Sequence, residues 1–157
     1  MTMQDKVQAL LDREEIRNLR TLYSHLLDGN MIDALDRVFS RDAVVEVTVG
    51  RMKGLNEIRA GLKDAFAQFD RDARAHYPFL HAVTNHAIVL TGPETARGRC
   101  YLIDWETASK PDANPLLLLG IYDDEYRRIE GEWRITRSRL DVVWPATGAP
   151  SDATAGR

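Results

Sequence analysis

Two histidines stand in the stretch "YPFLHAVTNHAIVL" (residues 77–90), where an apolar strand would otherwise use Val or Ile. A free imidazole titrates near pH 6.5, so a histidine facing a cavity can take a proton from carbon at neutral pH. The plain alternative is a hydrogen-bonded or half-exposed ring with no chemical role. Alternation along a strand puts His81, Val83, Asn85 and Ala87 on one face and Leu80, Thr84, His86 and Ile88 on the other. The spacing therefore predicts that the two rings point in opposite directions and that only one is enclosed.

The next strand-like stretch, "ARGRCYLIDWE", offers a carboxylate. Ala96, Gly98, Cys100, Leu102 and Asp104 share a small, apolar face, and Arg97, Arg99, Tyr101, Ile103 and Trp105 take the other. A carboxylate beside an imidazole fixes its tautomer and raises its basicity, whereas one at a strand end can equally be solvated. Tyr23 lies on the apolar stripe of a long helix, so its hydroxyl needs a partner. That partner is either a backbone carbonyl or an oxygen on which charge develops. Asp28, five residues on, falls off that stripe and reads as a cap or turn residue at the helix exit.

The elements that must position these groups follow from periodicity. Val7, Leu10, Leu11, Ile16, Leu19, Leu22, Tyr23, Leu26 and Leu27 recur at helical steps over residues 4–28. Asp28-Gly29-Asn30 then supplies a stop, and "MIDALDRVF" a short second helix that ends at "SRDA". From Ala43 the period changes to two through "AVVEVTV", and "GRMKG" reads as a turn into a short strand. "LNEIRAGLKDAFAQF" is helical again, "DRDARAHYP" is a loop, and four strands are expected at 79–90, 95–107, 115–128 and 132–144. Helices segregated from antiparallel strands predict an α+β fold, with a curved sheet wrapping the long helix around an internal pocket. The inward faces nominate Leu27, Val83, Leu102, Val142 and Trp144 as lining. One domain is expected over 1–145, with a disordered tail at 146–157.

Composition excludes several functions. The chain has 157 residues and a formal net charge of −3, with no basic stripe of the kind that tracks phosphates, which argues against nucleic acid. A single cysteine excludes an internal disulfide and suits a reducing cytoplasm. The charged N-terminus has no signal-peptide core, and "PLLLLGIY" is far shorter than the roughly 20 residues of a membrane span. No metal or nucleotide motif is present, so no cofactor is expected. "PLLLLGIYDDEY" is apolar at successive positions, which predicts a sheet covered on both faces, the second by another copy of the chain in a dimer or trimer.

"LYSHLLDGNMIDALDRVFSRDA", "HAVTNHAIVL", "ARGRCYLIDW" and "DDEYRRIEGEWRI" together resemble the SnoaL-like group of the nuclear-transport-factor-2-like (cystatin-like) superfamily, over residues 5 to about 145. The resemblance implies a cone-shaped α+β barrel with an internal pocket. Its closest enzyme pattern is that of bile acid 7α-dehydratase, whose helix tyrosine, strand histidine and aspartate look like Tyr23, His81 and Asp104. Scytalone dehydratase and lindane dehydrochlorinase are similar at greater distance; their helix-exit aspartate, which orients the histidine, corresponds to Asp28. The dehydratase family's last-strand arginine falls here on Val142, and Arg137 and Arg139 have the opposite strand parity. What the resemblance implies is a cofactor-independent lyase or isomerase acting on a hydrophobic cyclic carbonyl compound. The alternatives are a small-molecule-binding module and a structural role like that of a dioxygenase small subunit.

Overall fold

The structure is a computed structural model that describes residues 1–108 and 110–146. Of the tail expected at 146–157, everything from 147 onward lies outside the described residues. The chain opens with a capping box: Asp5 N–H donates to the Thr2 hydroxyl at 3.1 Å, and Thr2 N–H donates back to the Asp5 carboxylate at 2.7 Å. Two of the helix's unpaired donors are thereby satisfied. Helix α1 (Met3–Asp28) then runs to Gly29, whose N–H bonds to the His25 carbonyl. Only its second half is core. Ile16, Leu19, Tyr23, Leu26 and Leu27 are buried, whereas Val7, Leu10 and Leu11 are exposed. Burial begins at Asp12, which Arg128 and Trp133 engage from the sheet.

A 3₁₀ helix (Ile32–Arg37) stands where a short α-helix was expected, and β1 (Phe39–Val47) starts four residues before Ala43. The early start has a long-range cause. Phe39 pairs in parallel with Ile135, and the Ile135 N–H donates to the Val38 carbonyl. Then follow β2 (Gly50–Lys53), α2 (Leu55–Phe69), β3 (Phe79–Gly92), β4 (Thr95–Glu106), β5 (Leu116–Ile129) and β6 (Glu132–Trp144). The sheet order is β2-β1-β6-β5-β4-β3, antiparallel throughout except for β1 beside β6. It is thus an α+β fold with a mixed sheet curved around α1, and the sheet stays open between its edge strands β2 and β3. Among the described residues no helix is long and apolar enough to cross a membrane.

Bulges bend the strands and reassign side chains, because one extra residue reverses the alternation beyond it. In β3 the register shifts between Thr84 and Ala87, with Asn85 at φ 54°. The expected opposition of the two histidines is thereby overturned: His86 comes round to the inner face, where its Nε2 lies 3.1 Å from the Tyr126 hydroxyl. Gly98 makes room for both, since a Cβ there would meet His86 Nε2 and Tyr126 at 3.0 Å. Burial pushes the His86 pKa down to about 4, so this ring stays neutral.

The largest fully buried side chain is a charged one. Arg20, 1% exposed, forks onto Asp124, 0% exposed, with its Nε and Nη2 at 2.8 and 2.6 Å, and it also reaches the Ser138 hydroxyl. The Tyr126 hydroxyl donates to Asp124 at 2.9 Å. Burial opposes the Arg20 charge, but Asp124 more than compensates and holds it ionised. Removing one member of such a pair leaves the other charged and unpaired. Arg20→Met is expected to destabilise the fold by about 3–5 kcal/mol, and Arg20→Met with Asp124→Leu by much less. Urea denaturation of both variants checks this: equal losses would show that the ion pair is not what the core depends on.

Candidate active site

Asp28 ends α1, at the pole where the helix dipole disfavours a carboxylate by roughly 0.3–1 kcal/mol. Strand β3 offsets that cost. The His81 main-chain N–H donates to Asp28 Oδ2 at 2.9 Å, and His81 Nδ1 lies 2.6 Å from Asp28 Oδ1. One carboxylate thus ties the strand to the helix exit and sets the imidazole. An ionised carboxylate only accepts, so Nδ1 carries the hydrogen in the neutral ring and Nε2 is left bare. The loop before β3 is anchored to the same exit, Tyr77 N–H donating to the Asp28 carbonyl at 2.7 Å and the Asn30 amide to the Ala75 carbonyl at 2.9 Å. Edge contacts from Phe79 and Tyr23, with ring centroids at 5.0 and 6.3 Å, hold the imidazole plane.

Asp104 faces His81 directly across the β3–β4 ladder. Its Oδ2 is 3.6 Å from His81 Nε2, too long for a hydrogen bond. Asp104 is 7% exposed and its Oδ1 has no hydrogen-bond partner among the described residues. Burial raises its pKa to about 6; His81 pulls the other way and Asp28 adds to the rise. A carboxyl near that value exchanges its proton around neutral pH. Tyr23 completes the group. Burial pushes its phenol up to about 12, against the pull of Arg20 and of a hydrogen bond from Tyr122.

Tyr23, His81 and Asp104 line one end of a cavity of about 310 Å³, with Asp28 behind His81. Helix α2 closes it with Leu62, Ala65 and Phe69, and β5 contributes Leu117, Leu118 and Tyr122. Among the described residues the walls are apolar except for Thr48, His81, Asp104 and the two tyrosine hydroxyls, and no Arg or Lys lines them. Among the described residues no cluster of His, Cys, Asp or Glu is arranged to hold a metal ion.

The structure brings Tyr23, Asp28, His81 and Asp104 together, and Leu27, Leu102 and Val142 line the cavity beside them. Two expected lining residues do not. Val83, one strand repeat beyond His81, opens instead onto a cleft with Arg17 and Thr21 against α1. Trp144 is turned out and 40% exposed. The register shift at Leu119/Gly120 inserts an extra residue in β6, so inward parity passes from Val142 to Pro145. Arg137 and Arg139 lie on the outer face, where they line a separate polar depression. Tyr122 and the α2 residues were not anticipated as lining. The period-two run Tyr122, Asp124, Tyr126, which continues the strand's buried face, was the signal available for the first.

A family model described as a SnoaL-like domain matches residues 8–139. Among solved structures, a protein of Novosphingobium aromaticivorans described as a candidate aromatic ring hydroxylase is 30% identical, with a TM-score of 0.70 over 87% of this chain and 92% of that one. A second protein of that organism, described as a candidate scytalone dehydratase, is 21% identical with a TM-score of 0.72 over 87% of each chain. A hexachlorocyclohexane dehydrochlorinase of Novosphingobium barchaimii is 17% identical, with a TM-score of 0.72 over 88% of this chain and 91% of that one. The last two likenesses are of fold.

The raised carboxyl carries a stability consequence. Between the unfolded value of 3.8 and the folded value of about 6, the native state holds a proton that the unfolded chain has lost, so stability falls as pH rises through that window by up to about 3 kcal/mol. Asp104→Asn cannot titrate. It is expected to gain on the wild type between pH 4 and pH 7, ending more stable at pH 7. Denaturant midpoints at both pH values test this, and a difference that does not change with pH contradicts it.

Proposed function

The chain belongs to the SnoaL-like domain family, and from that premise we propose that it is a cofactor-independent lyase or isomerase acting on a neutral, hydrophobic cyclic carbonyl compound. The observation that carries this reading is the 2.6 Å contact of Asp28 with His81 Nδ1, which leaves Nε2 bare toward an apolar cavity. In the reaction, Nε2 takes the proton from carbon next to the carbonyl, and the C–H electron pair moves into an enolate. Asp28 stabilises the imidazolium, and the Tyr23 hydroxyl donates to the enolate oxygen. Where a hydroxyl sits β to the carbonyl, the enolate collapses, the C–O bond breaks, and protonated Asp104 gives its proton to the departing oxygen as water. Where no such group is present, the proton returns to another carbon and the outcome is isomerisation.

The cavity volume of about 310 Å³ is near the low end for ligand pockets, roughly 300–1,000 Å³, and suits one or two rings better than a steroid. The lack of a lining Arg or Lys, with Val142 at the family's arginine position, favours a substrate without a carboxylate tail. The buried free thiol of Cys100 accords with a cytoplasmic setting.

A second feature bears on assembly. The outer sheet face exposes Val89, Tyr101 and Val143. Arg99 paired to Asp123 and Arg139 paired to Asp141 lie among them. Apolar residues mixed with both charge signs make a self-complementary surface, so the chain is read as a homodimer or homotrimer through this face. The mixed apolar and charged outer face favours, as the second reading, a structural subunit without chemistry of its own.

Cyclic β-hydroxyketones incubated in D₂O and followed by mass spectrometry decide between the readings. Wild type is expected to exchange deuterium or lose water, and His81→Ala to be slower by about 10²-fold or more. Ligands that raise the melting temperature with no turnover in the wild type would favour a binding or structural role. Equal turnover in both would remove His81 as the base.

A further inference from the structure

The cavity asks its substrate oxygen to become negative beside two carboxylates, yet no cation lines it. The nearest positive group lies behind its wall. Arg20 precedes Tyr23 by three residues and so stands one turn earlier on the same side of α1. Its guanidinium carbon sits 3.7 Å from the ring centroid of Tyr122 and 4.9 Å from that of Tyr23. The two rings meet edge to face, with centroids at 6.3 Å and planes at 83°. Both phenols line the cavity.

We propose that Arg20 is a positioning residue for the Tyr23 hydroxyl: laid against the Tyr23 and Tyr122 rings, it supplies the positive potential that strengthens donation from Tyr23 to the substrate oxygen. The inference rests on the reading of Tyr23 as the donor to that oxygen. Two observations support it independently of one another. A cation over an aromatic face within about 6 Å is attracted to the ring and favours electron density on its substituent. Arg20 cannot swing away, because Asp124 holds it at two nitrogens and the Tyr126 hydroxyl holds Asp124. The buried ion pair therefore does more than fill the core: its positive member is the one laid against the phenols.

A probe pair tests this without knowing the substrate. 4-Nitrophenolate carries an oxyanion on one ring, and nitrobenzene has the same ring and nitro group without the oxyanion. Both are titrated at a pH where the free phenol is ionised, and the ratio of their affinities is the readout. A merely structural role for a residue would lower both affinities or the melting temperature and leave the ratio alone. Tyr23→Phe removes the donor while keeping the ring, and is expected to lower the ratio by about tenfold while nitrobenzene affinity holds. Arg20→Gln with Asp124→Asn removes both charges while keeping amide partners, and is expected to lower the ratio to a similar degree. If Tyr23→Phe lowers the ratio and the Arg20, Asp124 double variant does not, the proposal falls and the donor role of Tyr23 stands. If the wild type does not prefer the phenolate over nitrobenzene, the proposal also falls, whereas the lyase reading is decided separately by deuterium exchange in His81→Ala.

Discussion

The arrangement of the cavity depends on one carboxylate at one helix end. Asp28 accepts from the main chain of β3 and from the ring of His81, and its own carbonyl receives the loop before that strand. Helix α1, the 70–78 loop and β3 are therefore registered to one another at a single residue. His81 cannot rotate without breaking a short charge-assisted bond. A carboxylate on the negative pole of a helix is locally unfavourable, and such a local conflict with global order is what functional positions commonly show.

Much of this was legible in the sequence. The helix and the four long strands follow from apolar spacing, and the β4 face of Ala96, Gly98, Cys100, Leu102 and Asp104 is buried as alternation predicts. What alternation cannot register is a bulge. The extra residues at Thr84/Ala87 and Leu119/Gly120 reversed the expected sides of His86 and Trp144. A bulge is decided by how two strands fit, so one strand's sequence does not reveal it. The early start of β1 is similar, since its parallel partner β6 lies at the other end of the chain. Asp28 illustrates a different limit. Helical geometry alone made it a cap, and only the docking of β3 makes it the partner of the imidazole.

The charges in and around the cavity form a layered arrangement. Asp104 and the Asp28–His81 pair stand at one end, two phenols beside them, and the Arg20–Asp124 pair behind the phenols. Burial shifts these groups in ways that water would not. It lifts Asp104 to about 6 and Tyr23 to about 12, which separates a readily exchanged proton from a firmly held hydrogen-bond donor. Groups whose surroundings push their pKa values apart are suited to different parts of one acid–base cycle. The apolar remainder of the wall, from α2, β5 and β6, excludes water and strengthens each of these interactions.

The account stands or falls on the tautomer of His81. Nitrogen-15 labelling of histidine, with long-range correlation spectra of the wild type and of Asp28→Asn at a pH where the rings are neutral, reads it directly. The account predicts a hydrogen on His81 Nδ1, an unprotonated Nε2, and a downfield Nδ1 proton that loses its shift when Asp28 becomes Asn. A ring protonated on Nε2 in the wild type would leave no basic nitrogen facing the cavity and would contradict it.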